Sequence, residues 1–154
     1  MITFQADVLT EYISKIFAAS GSSKKEADII AEHLIGANLR GHDSHGVIRT
    51  LGYITGVNEN RFDVHGKFSI VQETPSTAVT DGGMNLGQVA AYHAMNLSIE
   101  KAQKSGIGMV TIRGNAHIGR LGHYGEMACR AGCIGMAGVN VPGGQLVAAY
   151  GGGQ

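Results

Sequence analysis

Twenty-four of the 154 residues are glycine, about twice the ~7% of an average domain. Their placement constrains the fold more than any other feature. They form no low-complexity tract, but fall at the ends of periodic segments and in two clusters, 82–87 and 143–153. Such a chain turns tightly and often, and lets backbone come close to other backbone or to a ligand.

Between the glycines the first sixty residues read as helices. Leu9, Ile13, Ile16 and Phe17 recur at helical spacing, with Gly21 placed to stop that helix. Ser23 precedes Glu26 by three, a capping-box pattern opening a second helix. Its apolar stripe is Ala27, Ile30, Ala31, Leu34 and Ile35, running toward Leu39. Residues 47–57 read as a third helix with Val47, Leu51 and Ile54 on one face. After Asn60 the pattern changes. Phe68, Ile70 and Val71 suggest a strand, Pro75-Ser76 a turn, and residues 78–80 a second strand. A long helix over 88–104 follows, then a β-rich run at 107–112, a short helix over 122–130 and an apolar strand at 133–141. The expected architecture is α/β (α+β): a helical unit at 1–60, then a sheet covered by helices at 61–154.

Lysine plus arginine equals aspartate plus glutamate at twelve each, so no basic surplus exists to draw in nucleic acid or anionic lipid. The opening residues lack a basic segment followed by an apolar run, and nothing approaches the ~18 apolar residues of a membrane span. A soluble cytoplasmic protein with small-molecule or protein partners is expected. Cys129 and Cys133 read as two buried thiols. The final residues, an apolar run into three glycines and Gln154, read as a chain cut short or a mobile tail.

Two histidine-bearing turns can carry chemistry. In the first, Arg40-Gly41-His42-Asp43-Ser44-His45-Gly46-Val47-Ile48-Arg49, either Asp43 or Ser44 could cap a helix with His45 at its mouth. Arg49 lies four residues after His45 and Tyr53 four after that, one helical face. The stripe joins a group that titrates near neutrality, a planar cation and a phenol. An α-keto acid asks for that set: Arg to grip its carboxylate, His to protonate its carbonyl oxygen. The other reading is a capped helix start with a surface charge. The second turn, residues 114–122, follows a strand and leads into a helix, where α/β proteins often place ligands. Its helix amides and Arg120 could hold a phosphate or carboxamide, and His117 is either chemical or structural. No G-x-G-x-x-G is present, so a Rossmann fold is not indicated. A competing metal site, of a hydrolase type, would draw on His42, Asp43, His45 and His117 or His123. His33, His65 and His93 lack partners in the sequence and read as structural or solvated.

The segments GANLRGHDSHG (36–46), GQVAA (87–91) and AHIGRLG (116–122) together resemble the malate/L-lactate dehydrogenase-like family of NAD(P)-dependent oxidoreductases, in the family's order. The resemblance implies a non-Rossmann fold of helical unit and α/β domain, with cofactor bound between domains of a homodimer, and a family length about twice that of this chain. It implies hydride transfer between NAD or NADP and a small 2-hydroxy acid or its 2-oxo acid. His45 matches the family's proton-donating histidine beside the nicotinamide, and His117 a histidine that serves as acid/base in some members. Arg49 and Tyr53 match substrate-side positions. Ser44, His45, Gly119, Arg120 and Leu121 fall on the cofactor side. Ala116 and Thr50-Leu51-Gly52 depart from the family's usual wording, which bears on substrate choice. A half-site of this kind also leaves open a structural or dimerisation piece with no activity of its own.

Overall fold

A computed structural model describes residues 3–140. Helix α1 spans Ala6–Ala19 and α2 Lys24–Asn38. A 3-10 turn, Asp43–His45, leads to α3, Arg49–Asn58. Strands β1 (Ser69–Glu73) and β2 (Thr77–Asp81) precede α4, Gly87–Ser105, which is followed by β3 (Met109–Arg113) and α5 (Gly122–Arg130).

The capping box forms as its spacing predicts: Ser23 Oγ accepts from the Glu26 amide while Glu26 Oε2 accepts from the Ser23 amide. That satisfies amides the first turn of a helix otherwise leaves bare. From there the periodic faces of α1 and α2 meet, with Phe17, Ile30 and Leu34 wholly buried between them. The same apolar cluster continues through Tyr53 of α3 and Val64 to Leu86 and Val89 at the head of α4. One core therefore runs across residue 60, joining the helices to the sheet-bearing part.

The sheet has the order β1-β2-β3. β1 and β2 are antiparallel, with Ser69 opposite Asp81 and a bulge between Ile70 and Gln72. β2 and β3 are parallel, Thr77 opposite Met109 through Asp81 opposite Arg113, with α4 as the crossover between them. Parallel neighbours need such a crossover. Its effect is to set the N-terminus of α4 beside the loop that follows β3, and the candidate site lies there.

The expected strand at 133–141 is corrected. Residues 134–140 take no regular structure and make no backbone hydrogen bond to a described strand. Gly135 instead lies close to Gly125 and Ala128 of α5, where its missing side chain admits the approach. Ile134 and Met136 are left 97% and 91% exposed. The expectation of buried thiols is also overturned: Cys129 is exposed and Cys133 only partly covered, because the buried face of α5 is made by Tyr124 and Ala128. The glycine cluster at 143–153 and the end of the chain lie outside the described residues. Among the described residues no helix is long and apolar enough to cross a membrane.

Candidate active site

The 3-10 turn that carries His45 is built on Asn38, the last residue of α2. Asn38 Nδ2 donates to Asp43 at 2.6 Å and its Oδ1 accepts from the Val47 amide at 2.9 Å. Gly46 must be glycine here, since a Cβ would fall within 2.2 Å of the Asn38 amide group. This alters the expected start of α3. The helix begins at Arg49 and not at Val47, and neither Asp43 nor Ser44 caps it; the Val47 amide is met by Asn38 instead. Ser44 Oγ sits 2.9 Å from His45 Nδ1, and Arg49 Nε donates back to the Ser44 carbonyl.

The second histidine arrives from far along the chain. Residues 114–121 loop from β3 to α5, and Gly87 at the first turn of α4 presses against them. A Cβ on Gly87 would stand 2.2 Å from the Ala116 carbonyl oxygen and 2.4 Å from that of His117. The loop is thereby held with the His117 ring 5.3 Å from that of His45 and tilted 35° to it. Tyr53 Oη lies 2.7 Å from His117 Nδ1, and Gln88 Nε2 donates to the same Oη at 2.9 Å. His45, Arg49, Tyr53 and His117 thus share one place, although 64 residues separate Tyr53 from His117.

Electrostatics hold both rings neutral near pH 7. Partial burial first, then Arg49 and His42, lower the His45 pKa below the usual imidazole range. His117 is lowered by partial burial, by His45 and by Arg49. Burial raises the Tyr53 phenol, so it stays protonated and can donate.

Gly119, Arg120 and Leu121 form the back of the loop. His33, on α2, accepts from the Arg120 amide through Nε2 at 2.8 Å. Gly119 adopts φ +78° with His33 so near that a Cβ would meet Nε2 at 2.2 Å. The buried Arg120 guanidinium reaches Glu126 at 2.8 Å, a carboxylate it shares with Arg40. Leu121 is half-buried directly before α5. His33 therefore has partners, contrary to the sequence expectation: besides Arg120 it stacks on His123 at 4.5 Å. His93 likewise packs on Phe68 and Tyr92, whereas His65 is exposed.

The metal reading is not sustained by this placement. His123 stands behind the loop with His33, and Asp43 is turned to Asn38. Among the described residues no three His, Cys, Asp or Glu side chains gather closely enough to hold a metal ion. Asn38 and Gln88 were not singled out by sequence, and His33 only as structural or solvated. Helix-end placement was the one signal available for Asn38, and buried-face register the one for Gln88.

Two histidines, a phenol and a guanidinium thus meet at one face of an α/β unit. The chain matches the malate/L-lactate dehydrogenase family over residues 4–154 and belongs to it. It is 40% identical over 134 residues to malate dehydrogenase of Pyrococcus abyssi, covering 87% of this chain and 37% of the relative. Hydroxycarboxylate dehydrogenase B of Escherichia coli K12 is 38% identical over 147 residues, 96% of this chain and 41% of the relative. Among solved structures, malate dehydrogenase from Pyrococcus horikoshii superposes with a TM-score of 0.84 at 38% identity, covering 85% of this chain and 38% of that one. The chain thus spans about two fifths of the length of the curated relatives it matches.

Proposed function

We propose that this chain supplies the proton-transfer side of a reversible hydride transfer between NAD or NADP and a small 2-hydroxy acid or its 2-oxo acid. The observation that carries the reading is the facing pair His45 and His117, bonded behind by Tyr53 and flanked by Arg49. The relatives named as malate and hydroxycarboxylate dehydrogenases support it.

Among the described residues Arg49 is the one Lys or Arg acting on both rings, and it would take the substrate carboxylate through its Nη atoms, its Nε being spent on Ser44. A carboxylate bound there offsets the charge of Arg49, which after burial helps to lower both rings, so substrate itself makes it easier for a histidine to hold a proton. His45 or His117 then gives that proton to the carbonyl oxygen as the carbon is reduced, and takes it back in the oxidation. The nicotinamide, when bound, supplies or accepts the hydride. Ser44, His45 and the loop through Gly119, Arg120 and Leu121 would hold it. The residues fit such a group in one respect: Arg120 Nε is buried without a hydrogen-bond partner among the described residues, a donor that a phosphate or carboxamide can accept from. A homodimer, implied by the family resemblance, is part of the same proposal.

The test is NAD(P)H oxidation across a panel of small 2-oxo acids. It is measured on this chain and on a chimera in which the chain replaces the matching segment of the Pyrococcus abyssi relative. Turnover by the chimera that His45→Ala or His117→Ala lowers by about 10²-fold or more is expected, the larger loss marking the acid. A folded chimera inert to the whole panel would overturn the reading.

A further inference from the structure

Gln88, in the first turn of α4, is fully buried, and its Oε1 is buried with no hydrogen-bond partner among the described residues. Its other end, Nε2, donates to Tyr53 Oη, which in turn meets His117 Nδ1. A buried amide with an idle acceptor is costly and uncommon, and here it lies directly behind the proposed proton-transfer residue.

Tyr53 has one proton. While it accepts from Gln88, that proton can point to Nδ1 of His117 when the neutral ring carries its own on Nε2. Protonating His117 makes Nδ1 a donor. Tyr53 must then accept from it, and the phenol proton needs another acceptor. Among the described residues the acceptor at hand is Gln88 Oε1, brought round by a half-turn of the terminal amide, a torsion with two broad wells.

We propose that Gln88 is a positioning residue whose amide turns with the protonation state of His117, so that the Tyr53–His117 hydrogen bond persists in both states. This rests on reading His117 as a proton-transfer residue. The groups that face His117 are His45 of the 3-10 turn, Arg49 and Tyr53 of α3, and, from behind the loop, His33 of α2. His45 and Arg49 act on it through charge; among the described residues Gln88 alone can act by exchanging donor for acceptor at Tyr53.

The test needs no substrate. His117 is titrated by histidine-selective nitrogen NMR in the full 154-residue chain, its signal assigned by loss in His117→Asn. Gln88→Leu removes the acceptor that the protonated state requires, and should lower the proton affinity of His117 by roughly tenfold. Gln88→Glu supplies a stronger acceptor and should raise it. Gln88→Met keeps the length of the side chain and replaces Gln88→Leu if that variant does not fold. In a Tyr53→Phe background the neutral Gln88→Leu change should have no further effect. An unchanged titration in a folded Gln88 variant would overturn the proposal, and so would an effect of Gln88→Leu that survives Tyr53→Phe. Turnover is read separately. Its absence from the chimera with the titration shifts intact counts against the oxidoreductase reading alone, whereas turnover with unshifted titrations counts against the role of Gln88 alone.

Discussion

His33 and His123 stack behind the His117 loop, and both are held neutral. Burial first, then the charge of its neighbours His123 and Arg120, lowers the His33 pKa to about 3; burial and Arg120 bring His123 to about 4. The unfolded chain would titrate both near the ordinary imidazole value of 6.5. With folded values depressed, the unfolded state binds more protons between those limits, so stability present above pH 6.5 is lost as pH falls toward 4 and then 3. The slope should be on the order of 1 kcal/mol per pH unit for each ring. Denaturant midpoints measured from pH 7 down to 4 should fall, and fall less steeply in His123→Gln. Stability independent of pH across that range would show the rings to be freely hydrated. At this scale the sequence disclosed residues whose meaning is local. His45, Arg49 and Tyr53 are spaced by four, and His117 stands in a glycine-framed turn. It was silent on those whose meaning is distant: Gln88 answers to Tyr53 across 35 residues and His33 to Arg120 across 87.

Helix α4 positions the loop opposite it through a missing side chain. Gly87 lies against the carbonyl oxygens of Ala116 and His117, backbone atoms that cannot swing aside as a side-chain tip would. Gly87→Ala must therefore move the loop or the helix by an ångström or more, and with it the His117 ring from Tyr53. A misplacement of that size costs about 10²-fold in rate, so turnover of the chimera should fall by that order, with the Tyr53-linked signal of His117 shifted. Wild-type turnover in Gly87→Ala would mean that the loop position is not set by this contact. The elements themselves were legible where periodicity and capping agree, as in α1, α2 and α4. The start of α3 was not: the Val47 amide is met by Asn38 of another helix and not by Asp43 or Ser44, and no local pattern reports that. The apolar run at 133–141 has strand composition, but a strand exists only when another backbone pairs with it. Among the described residues none does, and Gly135 settles on α5 instead.

For the whole molecule the question is how much of a dinucleotide site one wall can make. His45 is half-exposed, and Ser44, Arg49 and His117 are exposed. A small-molecule site commonly buries ~70–90% of its ligand between several walls and excludes water, which strengthens each polar contact inside it. The described residues offer the 3-10 turn, α3 and the loop after β3, while the relatives are each more than twice as long as the part that matches this chain. If the proposed chemistry holds, contacts from those further residues should decide affinity more than the histidines do. Titration of NADH and NADPH against the 154-residue chain and against the Pyrococcus abyssi chimera tests this. The chimera should bind at least about tenfold more tightly, a difference of about 1.4 kcal/mol that a few additional sheltered hydrogen bonds supply. Replacing Arg49 should weaken capture of the 2-oxo acid far more than that of the dinucleotide, since its proposed partner is the substrate carboxylate. Equal dinucleotide affinity in chain and chimera would show that the single wall suffices, and that the loop carrying Gly119, Arg120 and Leu121 provides most of the binding on its own.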